Sequence, residues 1–297
     1  MLLTRRRPSL PPGLPGLLCL LVLMTACSDP GPVGADTPGE LQGRLEITGS
    51  STIAPMLGEI AQRFEGLHPG VRIAIQTGGS SRGVADIRRG IAQIGMSSRE
   101  LNDTERQGLE IHRLGLDGLA LITHADNPVQ GLDSDQVIAI FSGRTRNWSG
   151  LDGADRQITV INKADGRATL TVFLEHFGLT SDAIRADMMI GENQHGIRAV
   201  AGNPGAIGYV SIGAAAHEAA RGSGIRLLSL DGVAPQTALV QAGEYPLIRS
   251  LYLVLREDAA PPDTNPQQHL ARRFVDYARS DAVHDLFADF GYVPDAD

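Results

Sequence analysis

Three serine doublets carry the chemistry that the sequence offers first. Ser50-Ser51 is followed by Thr52, Ser80-Ser81 by Arg82, and Ser97-Ser98 by Arg99. A fourth cluster, Lys163-Ala164-Asp165-Gly166-Arg167-Ala168-Thr169, adds two cations and a hydroxyl. Lys163 is the only lysine in a chain whose other basic residues are all arginine. Hydroxyls, backbone amides and fixed cations are all hydrogen-bond donors, and together they suit a tetrahedral oxyanion. Singly, each doublet also fits an ordinary helix N-cap, and Lys163 also fits a solvated loop.

The elements that must position these groups repeat one pattern. Leu45-Glu46-Ile47-Thr48 reads as a strand running into Gly49-Ser50-Ser51-Thr52. Ile53, Met56, Leu57, Ile60, Ala61 and Phe64 then recur at helical spacing, with Pro55 in the first turn, where its missing N–H costs nothing. Val71 to Ile75 reads as a strand leading to Gly78-Gly79-Ser80-Ser81-Arg82-Gly83 and a helix over 84–91. Ile94-Gly95-Met96-Ser97-Ser98-Arg99 is the third case, and Val160-Ile161-Asn162-Lys163 leads to a helix through Leu170, Phe173, Leu174 and Phe177. A helix start directs free N–H groups and a positive dipole end outward. In an open α/β sheet the strand C-termini line the ligand crevice. The pattern predicts one oxyanion held by several turns.

Further along, Leu119 to Ile122 reads as a strand. Ser134 is expected to cap a helix with Val137, Ile138, Ile140 and Phe141, closed by Gly143. Ala206 to Val210 and Leu251 to Leu255 read as strands, followed by helices over 267–280 and 282–290. Trp148 is expected to serve packing.

Arg5, Arg6 and Arg7 precede an apolar core from Leu14 to Met24, too short to span a membrane. Met24-Thr25-Ala26-Cys27 resembles a bacterial lipoprotein box, which makes residues 1–26 a signal peptide and Cys27 the lipidated residue. Residues 27–43, opening with a Pro/Gly/Ser/Asp-rich run, read as a flexible tether. Cys19, the other cysteine, lies in the signal, so no disulfide within the mature chain is expected. The net charge of -8 becomes more negative once the three arginines are removed, which argues against nucleic acid as a partner.

Gly79-Ser80-Ser81-Arg82-Gly83 also fits G-x-S-x-G, so a secreted serine hydrolase is a rival reading, with Ser81 as nucleophile and Asp165 plus His195 or His284 completing a triad. A hydrolase needs one serine turn, however, and leaves Lys163 and Arg167 unexplained. The eight histidines show no pair at helical spacing, so no metal is expected.

The motifs, in order, resemble the phosphate-binding periplasmic proteins and lipoproteins that feed ABC importers. The matching pieces are Thr48 to Pro55, Gly78 to Gly83, Ile94 to Glu100, Phe141-Ser142-Gly143 with Asn147-Trp148, Asp165-Gly166 with Thr169, Asn203 to Val210, and Tyr245-Pro246-Leu247. The resemblance implies the α/β two-lobed type 2 periplasmic-binding-protein fold. Each lobe is a mixed sheet flanked by helices, and two crossover segments join them. It implies a discontinuous first lobe of residues 44–123 and 246–297 and a second lobe of 124–245. By position, Ser51 and Thr52 match the first binding turn, Ser80 the second and Ser98 the third; Ser50, Ser81 and Arg99 beside them are further ligand-binding candidates. Lys163 matches a family arginine and Asp165 its aspartate, with Gly166, Arg167, Ala168 and Thr169 completing the second-lobe turn.

Two departures stand out. The family often reads Asp-Gly-Ser-Gly-Thr where this chain has Arg167 and Ala168 in the middle. An aspartate that accepts the phosphate proton is replaced by Arg99. The expectation is a monomeric, non-enzymatic, cofactor-free protein, lipid-anchored on the periplasmic or extracellular side of a bacterial membrane. It would deliver phosphate to an ABC permease. Sulfate, molybdate and tungstate, or an anion-sensing role, are the alternatives.

Overall fold

The structure, a computed structural model, describes residues 41–257 and 265–295. These fall within one compact unit, Glu40–Asp297. The expected signal peptide, the expected lipidation residue Cys27 and nearly all of the expected tether lie outside the described residues.

Strands and helices alternate as the sequence pattern predicts. β1 (Gln42–Gly49) begins just inside the stretch assigned to the tether and leads to α1 (Ala54–Leu67). The buried residues of α1 are Met56, Leu57, Ile60, Ala61 and Phe64, with Pro55 in its first turn. Next come β2 (Gly70–Thr77), α2 (Ser80–Arg88), β3 (Ile94–Ser97) and α3 (Asp103–Arg106). β4 (Leu109–His124) is sixteen residues long and continues well before the segment predicted for it. β5 (Gly131–Leu132), α4 (Ser134–Phe141), β6 (Thr159–Lys163), α5 (Ala168–Phe177), β7 (Met188–Ile190) and α6 (Asn193–Ala201) follow. Then come β8 (Ala206–Ser211), α7 (Ile212–Ala220), β9 (Ile225–Leu230) and α8 (Thr237–Gln241). β10 (Ile248–Arg256), α9 (Pro266–Ala278), α10 (His284–Asp289) and β11 (Val293–Pro294) complete the chain.

Two local expectations are corrected. The helix expected over 84–91 begins at Ser80, because Gly79 takes φ +96° and turns the chain directly from strand into helix. Ser80 and Ser81 therefore sit in the first helical turn. The cap of α4 is Asp133, not Ser134: the Asp133 carboxylate accepts from Gln136 N, and Gln136 Oε1 accepts from Asp133 N in return. Ser134 instead donates its hydroxyl to Asp231.

The main strand order is β2-β1-β3-β10-β4-β8-β6-β7. β1 is parallel to β2 and β3, while β10 is antiparallel to β3 and β4. β4 belongs to both halves of this order. Leu109 to Gly118 pair with β10, and from Leu119 onward β4 pairs with β8 and β9. The two larger apolar cores among the described residues follow from this switch; a third, small one holds Val84, Leu101, Tyr252 and Val254. One of the larger two gathers Leu45, Ile47, Phe64, Leu253, Phe274 and Phe287 around α1 and α9. The other gathers Leu119 to Ile122, Phe141, Trp148, Phe173 and Tyr209. Trp148 is packed as expected and donates Nε1–H to Gly205 O at 2.9 Å.

In the second core Phe173 stacks on Tyr209 with ring centroids 4.0 Å apart and planes 11° from parallel. Phe141 lies 4.6 Å from Phe173. Phe173 is the fully buried residue that anchors α5, and so the Lys163–Thr169 turn, on the sheet. Phe173→Ala is expected to cost about 3–5 kcal/mol, the usual range for removing a buried aromatic. Urea unfolding checks this; a loss below about 1 kcal/mol would mean that the ring is not a core anchor.

Candidate anion-binding site

The three serine doublets meet. Ser50 N donates to Met96 O at 3.0 Å, tying the first turn to the end of β3. That approach requires Gly49, which takes φ +131° and whose added Cβ would fall 2.3 Å from Met96 O. The Ser50 and Ser98 hydroxyls share a hydrogen bond of 2.9 Å. Thr52 N donates to Ser50 Oγ at 3.2 Å, and Ser98 N donates to Ser80 Oγ at 3.1 Å. Ser50, Thr52, Ser80 and Ser98 are all buried.

The fourth turn comes from the other half of the sheet and touches the second doublet. Ser81 N donates to Gly166 O at 3.4 Å, and a Cβ on Gly79 would fall 2.6 Å from the same oxygen. Lys163, at the end of β6, is 1 % exposed, and its Nζ donates to Asn193 Oδ1 at 3.1 Å. Burial pulls the Lys163 amine down to about 7; Arg249 and Arg167 push the same way, and Glu192 opposes them. Ala168 and Thr169 are buried in the first turn of α5, which has no side-chain cap at its N-terminus.

Arg249 joins the two sides. Its guanidinium donates to Thr52 Oγ1 at 3.0 Å and to Thr169 Oγ1 at 2.9 Å. It also forks onto Asp117 Oδ2, from Nε at 2.9 Å and from a terminal nitrogen at 2.7 Å. Ser211 Oγ donates to the other Asp117 oxygen at 2.9 Å. Both side chains of the ion pair are essentially unexposed. Burial pushes the Asp117 carboxyl up, against the opposing pull of Arg249 and Ser211. One consequence concerns hydroxyl polarity. Thr52, Thr169, Ser80 and Ser98 each accept a hydrogen bond at oxygen, which leaves each O–H to donate elsewhere.

The remaining candidates are placed differently. Ser51 lines an adjoining cavity of about 750 Å³ together with Thr52, Asn193, His195 and Tyr292. Arg99 makes a two-pronged pair with Glu105 at 2.7 and 2.8 Å, and it also donates to Ser81 Oγ at 3.3 Å. Arg167 pairs with Glu192 at 2.8 Å. Asp165 is exposed and accepts from Ser181 Oγ at 3.4 Å. Gly166 is exposed and contributes its carbonyl to Ser81. No triad is assembled among the described residues: Ser81 Oγ meets Arg99, Asp165 meets Ser181, and His284 lies beside Asp281.

Sequence reasoning missed Arg249, Asp117 and Asn193. The first two had a readable signal. Asp117 interrupts an apolar run from Leu114 to Ile122, and Arg249 interrupts another from Leu247 to Leu255. A lone charge inside a strand of this kind needs a buried opposite partner. Asn193 had none, since it reads as one more polar residue at a helix start.

The chain belongs to the PBP superfamily, whose domain model matches residues 34–282. The two-lobed type 2 periplasmic-binding fold is therefore the architecture described above. The phosphate-binding protein PstS of Bacillus subtilis is 29% identical over 267 residues, covering 86% of this chain and 82% of that protein. A phosphate ABC transporter substrate-binding protein from Clostridium perfringens, solved with bound phosphate, superposes with a TM-score of 0.77. It is 28% identical and covers 86% of this chain and 100% of its own. An ABC-type phosphate transport receptor from Vibrio cholerae gives a TM-score of 0.67 at 25% identity, covering 84% and 100%.

Removing one member of the Arg249–Asp117 pair strands the other in the interior. Arg249→Met is expected to destabilise the protein by about 3–5 kcal/mol, and adding Asp117→Leu should recover most of that loss. Equal instability of the single and double variants in urea would show that the pair is not what holds this seam.

Proposed function

We propose that this protein binds inorganic phosphate reversibly between its two lobes and hands it to an ABC permease. One observation carries the reading. Hydroxyls from both halves of the sheet, bridged by Arg249, converge beside a buried lysine, each accepting at oxygen so that its O–H is left to donate. Donors of this kind, held among helix N-termini, match an anion stripped of water. The names of the relatives, and the phosphate in the Clostridium perfringens structure, point to the same ligand.

In this reading Thr52, Ser80 and Ser98 hold the anion from the first lobe, and Lys163 and Thr169 from the second. Arg249 orients both threonines. The lobes divide as residues 44–123 with 246–297, and 124–245, with the switch in β4 and the start of β10 as the crossing segments. Capture is closure of one lobe on the other, and no bond is made or broken. Cys27 carries the lipid that keeps the protein at the outer face of a membrane, and the protein acts as a monomer. No helix among the described residues is long and apolar enough to cross a membrane.

Two titrations test this. Calorimetry should show phosphate binding that Lys163→Ala weakens by about 1.5–3 kcal/mol, the size of a charged hydrogen bond. Unchanged affinity would remove Lys163 from the site. The second concerns sulfate, which has no proton to give. The nearby acceptors are engaged: Asp117 by Arg249 and Ser211, Glu192 by Arg167, and Asn193 by Lys163. A site made of donors does not demand a protonated ligand, so sulfate excess should displace phosphate. Phosphate that resists a large sulfate excess would require a carboxylate acceptor within the site.

A further inference from the structure

The cations around the cleft differ in one respect. Among the described residues, three are buried: Arg99, Arg249 and Lys163. Arg99 is neutralised by Glu105 and Arg249 by Asp117. The half-buried Arg167 is neutralised by Glu192. Lys163 alone has no carboxylate within ion-pair distance, and its hydrogen-bond partner is the neutral amide of Asn193.

The groups facing Lys163 come from every neighbouring element. Arg249 lies on β10, Arg167 at the N-cap of α5, and Glu192 at the N-cap of α6. The Tyr209 phenol on β8 is held above its ordinary pKa by burial and stays neutral. The one carboxylate of this set is already bonded to Arg167. An ammonium so placed has lost its hydration with no counter-charge to replace it. It has two ways out: shedding the proton or acquiring an anion.

We propose that Lys163 is a proton-coupled ligand group: it is an uncharged amine when the cleft holds no anion at alkaline pH, and it takes one proton from water as phosphate binds. The proton adds to the Nζ lone pair, and the resulting ammonium donates to the anion. The proposal rests on the phosphate reading above and gives that site its one unneutralised positive charge. An arginine at this position could not lose its proton in this way. Binding is then strongest where the free protein already carries the proton. It weakens by up to about tenfold per pH unit as pH rises above the point where the free amine deprotonates, in addition to the effect of phosphate's own ionisation.

The single lysine makes the test direct. Lysine labelled with carbon-13 at Cε gives one side-chain resonance for the whole chain, with no assignment needed. In phosphate-free full-length protein that resonance should titrate with a midpoint near pH 7. With saturating phosphate it should hold the charged position up to the ordinary lysine range. A midpoint in the ordinary range without phosphate, or the same midpoint with and without it, overturns the proposal. Calorimetry on the same samples separates the two failures, because the absence of phosphate binding at any pH removes the functional reading itself. Lys163→Arg should bind phosphate with only the pH dependence of phosphate's own ionisation. A wild-type pH profile in that variant would also overturn the proposal.

Discussion

The contact between Arg249 and the two threonines, Thr52 and Thr169, sets the geometry of the cleft. A guanidinium is planar and always charged, so it donates along fixed directions. Asp117 anchors it from β4, the strand that runs through both halves of the sheet. The result is a rigid cation whose charge is spent internally and whose remaining hydrogen bonds pull together one turn from each half of the sheet. A buried ion pair is weak evidence for stability, because desolvation offsets most of the Coulomb gain. Its contribution here is positional. It leaves the hydroxyl protons of Thr52 and Thr169 to donate elsewhere and ties the turn before α1 to the first turn of α5.

The same logic explains why a donor-rich cleft exists in an acidic chain. The arginines near the site are matched with carboxylates one by one, and only Lys163 is left unmatched. The field at the site therefore comes from one amine, oriented hydroxyls and helix N-termini, while the overall charge of the chain has little influence on it. Burial gives each of these groups weight, since a donor removed from water must find another acceptor. Serine hydroxyls that bond to one another, as Ser50 and Ser98 do, meet that need within the protein.

Much of the fold was legible because it depends on local rules. Apolar periodicity placed α1 and its buried face, the strand–serine pattern placed the ends of β1 and β3, and the run into Lys163 placed that of β6. Gly49 and Gly79 marked turns where a Cβ would collide with Met96 O or Gly166 O. The start of α2 was misplaced because serine reads equally as cap and first turn. α4 was misread because an aspartate one residue earlier made the better capping box. The serine convergence followed from topology, since parallel strands bring their C-terminal ends together. Arg249 was readable as a charge set in an apolar strand, but which carboxylate it meets was not, because its partner lies 132 residues away. Arg99, Arg167 and Asp165 looked alike as candidates, and only three-dimensional pairing with Glu105, Glu192 and Ser181 tells them apart.

The central claim is that one anion occupies the point where the two lobes meet at Thr52, Thr169 and the Ser50–Ser98 pair. A crystal structure of the protein grown with phosphate tests it most directly. The account predicts a phosphate within hydrogen-bond distance of both threonine hydroxyls and of Lys163 Nζ, with Arg249 still anchored on Asp117. A phosphate bound elsewhere, with this cluster of hydroxyls unchanged and unliganded, would contradict it.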